Sequence, residues 1–270
     1  MKVSLKTICT FFEHSRQAFY KRQKKALKTF LEEQLILSEI SRIRRVLPKV
    51  GGRKLYLDLK DMGFKIGRDK LFDLLGRRGL LVKRPKRSSR TTYSNHWFRK
   101  YSNLIRGVKL TGPNQVFVSD ITYLRTASGF VYLSLVTDAF SRKIVGWDVS
   151  SSLGFEGALR SLKMALKTVP HPEGLIHHSD RGIQYCCHEY VKLLNDNHVL
   201  ISMTEENHCY ENAIAERVNG ILKDEFALGE TLPSFKVAKE LVRDAIRTYN
   251  SLRRHMSINY RVPDEVHVCQ

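Results

Sequence analysis

A change of periodicity near residue 114 limits, more than any other feature, what this chain can fold into. Before it, apolar residues recur at helical spacing in blocks punctuated by glycine and proline. After it, Val116 to Thr122 alternates, Gly129 to Val136 is rich in β-branched and aromatic residues, and Lys143 to Val149 forms a third such run. Short connectors between the three suit an antiparallel meander. Helix and strand patterns then alternate: helix 155–168 halted at Pro170, strand 174–179, helix 187–196, a short strand 199–203 and helix 211–227. A last helix, 235–250, leads into a polar tail. This order predicts an α/β fold with a mixed sheet flanked by helices.

The first 110 residues predict small all-α units. Ser4 can cap a helix through Phe11, and Ser15 a second from Arg16 to Lys25, which has the shape of a helix–turn–helix with Arg16 and Gln17 opening its second helix. A longer pattern follows, with Leu31, Leu35, Ile40, Ile43 and Leu47 on one stripe, stopped by Pro48 and Gly51-Gly52. Then Arg53 to Met62, closed by Gly63, and Arg68 to Arg78, closed by Gly79, make a second pair, with Arg68 and Lys70 opening its second helix. The polar, basic stretch from residue 83 lacks apolar periodicity and reads as a linker. The expected division is thus a helix–turn–helix-like segment 1–30, a helical DNA-binding domain 31–82, a basic linker 83–110 and a core 111–270.

Charge follows that division. The chain carries a formal +19, yet residues 1–110 hold 29 Lys and Arg against 8 Asp and Glu, and residues 111–270 hold 17 against 19. An excess confined to one half is the electrostatic footprint of a nucleic-acid binder. No apolar run approaches transmembrane length and no signal peptide heads the chain, so the expected placement is cytosolic and nucleoid-associated. Five cysteines without a C-x-x-C pair argue against a disulfide framework. His177, His178, Cys186, Cys187, His188, His208 and Cys209 cluster loosely, at spacings that fit no structural zinc pattern.

Chemistry concentrates in three acids. Asp120 sits inside Val-Phe-Val-Ser-Asp-Ile-Thr-Tyr (116–123), Asp180 ends Gly-Leu-Ile-His-His-Ser-Asp (174–180), and Glu216 lies within the helical 211–223. Two carboxylates at strand ends and a third on a helix make an oxygen-only cage suited to Mg²⁺. Two such ions about 4 Å apart can clamp the attacking and leaving oxygens of an in-line phosphoryl displacement. On a helical wheel Ile214, Val218, Ile221, Leu222 and Phe226 face the core, while Asn212, Glu216, Asn219 and Lys223 fall opposite. Asn212 and Lys223, with Gln184 in the segment after Asp180, are therefore candidate DNA contacts beside Arg16, Gln17, Arg68 and Lys70. Asp138 is a rival for the first acid, and Glu205, Glu206 and Glu211 for the third. Gly-x-Ser-x-Gly, Walker A and His-Glu-x-x-His patterns are absent, so the nucleophile has to come from outside: water, then a DNA 3′-hydroxyl.

At these residues the chain resembles bacterial insertion-sequence transposases with a DDE triad, most of all the OrfB-type product of the insertion-sequence-three family. The matching text is Asn-Gln-Val-Phe-Val-Ser-Asp-Ile-Thr-Tyr (114–123), Asp-Ala-Phe-Ser-Arg-Lys-Ile-Val-Gly-Trp (138–147), His-Ser-Asp-Arg-Gly-Ile-Gln-Tyr (178–185) and Cys-Tyr-Glu-Asn-Ala-Ile-Ala-Glu-Arg-Val-Asn-Gly-Ile-Leu-Lys-Asp-Glu (209–225), with Tyr-Asn-Ser-Leu-Arg-Arg-His in the tail. The resemblance covers about residues 35 to 267. It implies a ribonuclease-H-like, retroviral-integrase-like core, two Mg²⁺ ions with Mn²⁺ as substitute, and terminal inverted repeats and target DNA as substrates. It places the catalytic and metal-binding triad on Asp120, Asp180 and Glu216, with Lys223 near the donor DNA. It also implies a homo-oligomer on DNA and fusion with, or binding to, an upstream OrfA-type product. Phe117 stands where the family usually has Trp, and Val50-Gly51-Gly52-Arg53 lacks the usual aromatic after glycine. Two other readings accommodate the same residues: a non-catalytic DNA-binding regulator, and a structure-selective nuclease of the same fold.

Overall fold

A computed structural model describes residues 4–83, 97–205 and 212–268. The chain divides into two compact units, residues 1–46 with 50–83, and residues 47–49 with 84–270.

The first unit is all helical: α1 (Leu5–Phe11), α2 (Arg16–Val46), α3 (Gly52–Asp61) and α4 (Arg68–Arg77). Ser4 and Ser15 cap α1 and α2 as expected, their hydroxyls accepting from the amides of Thr7 and Ala18 at 3.1 and 3.0 Å. Gly63 and Gly79, at φ of +86° and +65°, take the left-handed turns that close α3 and α4. The sequence reading separated a helix 16–25 from a later one; the structure instead runs a single 31-residue helix through both, so the boundary expected at residue 30 falls inside α2. Ala26 to Phe30 contains neither glycine nor proline, and nothing there interrupts the hydrogen-bond ladder. Ile36 and Ile40 of α2 join Leu55, Leu59, Leu71, Leu74 and Leu75 in the buried core of this unit.

The second unit is built on a five-stranded sheet in the order β3-β2-β1-β4-β5. Its strands are β1 (Val116–Thr126), β2 (Gly129–Asp138), β3 (Ile144–Ser150), β4 (Ile176–Ser179) and β5 (Leu200–Met203). The first three form the expected antiparallel meander, and β4 and β5 add in parallel. Helices α5 (Phe155–Leu166), α6 (Ile183–Cys186) and α7 (His188–Asp196) cover one face. Ala158, Leu162, Tyr185, Tyr190 and Leu194 pack there with Phe117, Val136 and Met203 of the sheet. Gly146 lets α5 approach β3 closely, because a Cβ at that position would lie on the carbonyl oxygen of Ser161. On the other face lie α8 (Ala213–Glu225) and α9 (Phe235–Leu252), with α10 (Pro263–Val266) beyond. The Asn250 side chain of α9 both accepts from the amide of Ile144 and donates to its carbonyl, each at 2.9 Å, and so binds α9 to β3. The Arg253 guanidinium, 2% exposed, grips the Glu225 carboxylate through two hydrogen bonds of 2.9 and 2.6 Å and ties the end of α9 to the end of α8.

Asp138, the rival for the first catalytic acid, is a structural residue. It is fully buried at the end of β2, where it accepts from the amides of Asn114 and Ser141 and from the Ser141 hydroxyl. Burial pushes its carboxyl up, but hydrogen bonds from His267, Ser141 and Asn114 outweigh this and hold it below the ordinary aspartate range. A depressed carboxyl contributes stability above its unfolded pKa of about 4 and loses it as pH falls through the folded value. Asp138→Ala strands several buried donors and is expected to cost about 3 kcal/mol. Urea melts at pH 7 and pH 3 check both statements, and the gap between variant and parent should shrink at the lower pH.

Candidate active site

The site grows out of one pairing. β1 and β4 are parallel from Val116↔Ile176 to Ser119↔Ser179. β4 stops there while β1 continues, so Asp120 and Asp180 are each the next residue beyond the last pair. Adjacent strands lie about 4.8 Å apart, and the two carboxylates leave the backbone at neighbouring points. Asp120 is therefore at a strand end only with respect to β4. On its other side it stays paired with Leu135 of β2, a correction to the expectation that its own strand ends there.

Alternation decides which way Asp120 points. Val116, Val118 and Asp120 share a face of β1. Val116 and Val118 pack with Ala215 and Ile214 of α8, so Asp120 faces that helix too. The two oxygens of Asp120 are each engaged: Oδ1 accepts from the amide of Ile121 at 2.9 Å and Oδ2 from the Asn219 side chain at 2.8 Å. Asp180 Oδ1 accepts from the amide of Gly182 at 3.0 Å, and a side chain at Gly182 would crowd that oxygen.

Glu216 lies exposed in the first turn of α8. The acids act on one another: the Asp120 carboxyl is pushed up to about 7, by burial first and then by Asp180 and, more weakly, Glu216, against the opposing Asn219 and Ile121 donors. Lys223, half-buried two turns on from Glu216, is lowered by burial and raised by Asp120 and Asp224. Asp120, Asp180, Glu216 and Lys223 thus form one electrostatic neighbourhood. Among the described residues, however, no three His, Cys, Asp or Glu side chains are gathered tightly enough to hold a metal ion. Three carboxylates without a cation repel one another. The donor set itself is all oxygen, which fits a hard divalent ion.

Other expected residues are placed differently. Asn212 is 3% exposed and donates to the carbonyl of Ser119 at 3.0 Å, so it holds α8 to β1 and does not present itself to DNA. Asn219 is likewise buried, at 4%. The wheel set both opposite the apolar stripe, but the sheet wraps far enough round α8 to cover them. The Gln184 amide is spent on the carbonyl of Leu153 at 2.9 Å. Arg16, Gln17, Arg68 and Lys70 are exposed in the helical unit, and Arg68 is paired with Asp69. Of the loose His/Cys cluster, His177 meets Ser119 and Tyr190, His178 meets Ser202, and Cys186 meets Met203. His208, Cys209, Glu206 and Glu211 lie outside the described residues. Tyr185 escaped the sequence reading. Its buried hydroxyl has no hydrogen-bond partner among the described residues, and it is raised by burial and then by Asp120 and Asp180.

Comparison with known proteins agrees with this architecture. Two models described as "Integrase core domain" match residues 111–209 and 197–263. A Shigella sonnei protein described as "Insertion element IS600 uncharacterized 31 kDa protein" is 33% identical over 253 residues, 92% of this chain and 93% of that one. "Transposase InsF for insertion sequence IS3A" of Escherichia coli K12 is 30% identical over 261 residues, 93% of this chain and 90% of that one. Among solved structures, a chain of a simian T-cell lymphotropic virus intasome superposes with a TM-score of 0.52 at 17% identity, covering 82% of this chain and 72% of that one. The sheet and its flanking helices are thus the ribonuclease-H-like core of integrases. The chain belongs to the insertion-sequence-three family of transposases.

The raised carboxyl of Asp120 has a measurable consequence. A group whose folded pKa lies above its unfolded value of about 4 contributes stability below that value and loses it as pH rises through 7. Asp120→Asn removes this penalty. In the presence of chelator the variant should melt above the parent at pH 8, and the difference should close by pH 4, as read by thermal denaturation across a pH series.

Proposed function

We propose that this transposase cleaves and joins DNA at the edge of its sheet where Asp120 and Asp180 stand side by side below α8, with Glu216 as the third acid. The observation that carries the reading is the parallel register, which sets two acids at adjoining carboxyl-terminal positions facing a helix that supplies a third. Ligand sites in open α/β sheets form outside the carboxyl ends of strands for the same topological reason.

In this reading Asp120, Asp180 and Glu216 hold Mg²⁺, or Mn²⁺ in its place. Two such ions when bound supply the positive charge that stabilises the attacking and leaving oxygens of a phosphodiester. Asp120 and Asp180 bring opposing charge to a place where water is partly excluded, which strengthens their hold on a cation. Lys223 provides a cation on the same helix for a DNA phosphate. The basic helical unit binds the ends of the element, with Arg16, Gln17, Arg68 and Lys70 at helix starts where phosphate or base contacts are made. The working form is an oligomer on DNA, alone or with an OrfA-type product. No described helix is long and apolar enough to cross a membrane.

An oligonucleotide carrying a cognate element end, incubated with Mg²⁺, separates this from the rival readings. Cleavage followed by joining to target DNA is expected; cutting without joining would make the chain a nuclease, and binding alone a regulator. Asp120→Asn, Asp180→Asn and Glu216→Gln should each reduce cleavage below detection while leaving duplex binding within about threefold, because phosphate contacts come mainly from the basic unit. Retained Mg²⁺-dependent cutting by any of the three removes that residue from the site.

Binding should also depend steeply on salt. With about six phosphate contacts, affinity falls roughly thousandfold between 50 and 200 mM salt. Replacing Arg68 and Lys70 by Ala should weaken binding to every duplex and flatten the slope of log affinity against log salt by about two. Filter binding across a salt series reads both quantities.

A further inference from the structure

Two buried amides on one face of α8 reach back to β1. Asn212, at the amino end of the helix, donates to the carbonyl of Ser119 at 3.0 Å, and Asn219 donates to Oδ2 of Asp120 at 2.8 Å. The two lie seven residues apart, close to two full turns, so they emerge from the same side of the helix. Ser119 and Asp120 are consecutive on β1, so the pair fixes both the height and the rotation of α8 against the strand. Glu216 stands one turn from each, on the exposed side.

Packing does not account for these amides. Ala215, Val218, Ile221 and Leu222 already bury the apolar side of α8. An asparagine among them brings a desolvation cost that a leucine, branched in the same way at Cγ, would not. The cost is compounded because Oδ1 of both Asn212 and Asn219 is buried with no hydrogen-bond partner among the described residues. What Asn219 does supply is a donor to Asp120. With the amide of Ile121 on Oδ1 and Asn219 on Oδ2, the carboxylate is gripped at both oxygens and its rotation about χ1 and χ2 is stopped. Each oxygen keeps further lone-pair capacity for another partner.

We infer that Asn219 is a positioning residue of the reaction centre: it fixes the orientation of the Asp120 carboxylate, and Asn212 fixes the helix register that delivers Asn219 and Glu216 to it. The inference rests on Asp120 being a catalytic, cation-binding carboxylate. Carboxylates that bind cations are themselves held by hydrogen bonds, and loss of such a partner typically lowers metal affinity or activity by about 10–100-fold.

The test uses the full chain and Mn²⁺ as probe, titrated by electron paramagnetic resonance, beside a melting curve, a duplex-binding curve and the cleavage assay. Asn219→Leu keeps the branching at Cγ and removes the donor. It is expected to retain the parent's fold and duplex affinity, to weaken Mn²⁺ binding about 10–100-fold, and to lose cleavage in proportion. A merely structural amide would move the melting temperature and leave Mn²⁺ affinity of the folded protein alone. If Asn219→Leu does not fold, Asn219→Gln, which keeps the amide donor one methylene farther out, is read in the same way and should keep more Mn²⁺ affinity than Asn219→Ala. A folded Asn219→Leu that binds Mn²⁺ within twofold of the parent and cuts at the parent rate overturns the inference. So does equal Mn²⁺ affinity in the Gln and Ala variants. Asp120→Asn, run alongside, separates the two levels: if it still binds Mn²⁺ and cuts, the site itself is misassigned, whereas an inactive Asp120→Asn beside an unaffected Asn219→Leu removes only the positioning role.

Discussion

The parallel pairing of β1 with β4 is the contact on which the rest of the catalytic unit depends. It joins the antiparallel meander to the two later strands and brings two sequence-distant aspartates level. Side chains alternate with a period of two, so a slip of a single residue would turn Asp120 from α8 toward the aromatic layer on the other face. That layer guards against the slip. Ser119 and Tyr190 both place hydroxyls on Nε2 of His177, at 2.8 and 2.9 Å, directly under the last paired residues. Burial, with a smaller effect from His178, holds the His177 imidazole down at about 3, so it stays neutral and can accept. A three-membered polar network with one geometric solution locates the strand more sharply than apolar contacts, which tolerate sliding.

The opposite face carries the electrostatic strain. Asp120 feels the charges of Asp180 and Glu216 there, and its own burial makes that repulsion costlier than it would be in water. Such repulsion opposes folding, so the surrounding structure holds α8 in place by other means. Val218, Ile221 and Leu222 bury the core side of the helix. Farther along, the Arg253–Glu225 pair and the Asn250–Ile144 amide bonds lash α9 to α8 and to β3. The helix that carries Glu216 is thus anchored at its far end by an ion pair and along its length by Asn212 and Asn219, with Glu216 exposed in its first turn.

Much of this arrangement was legible in the sequence because it depends on local pattern. Strand alternation, the cap residues Ser4 and Ser15, and the glycines that close α3 and α4 act within a few residues of chain, and each stands where the pattern put it. The break expected within α2 is the instructive failure. Capping chemistry located the start of that helix, but nothing short-range distinguishes a helix that stops at Lys25 from one that runs on to Val46. The segment between them has ordinary helix formers and no breaker, so propagation adds a hydrogen bond for each residue fixed.

The sequence by itself determined that three acids lie in three separate segments of strand, strand and helix, that positive charge gathers in the first 110 residues, and to which family these motifs belong. Only the tertiary structure decided how the acids relate. Asp120 turned out to lie within a strand, at an edge made by the shorter neighbour β4, which is a property of pairing and not of its own segment. Asp138, equally acidic and equally placed at the end of a strand, was removed from contention by donors from Asn114, Ser141 and His267, which sit far apart in the chain. Asn212 and Asn219 looked like surface amides on a helical wheel, because a wheel ranks faces by residue type and does not know what covers them. The covering surface is β1, and its depth against α8 depends on the register of a sheet that pairs Val116 with Ile176 and Ser119 with Ser179, segments far apart in the chain.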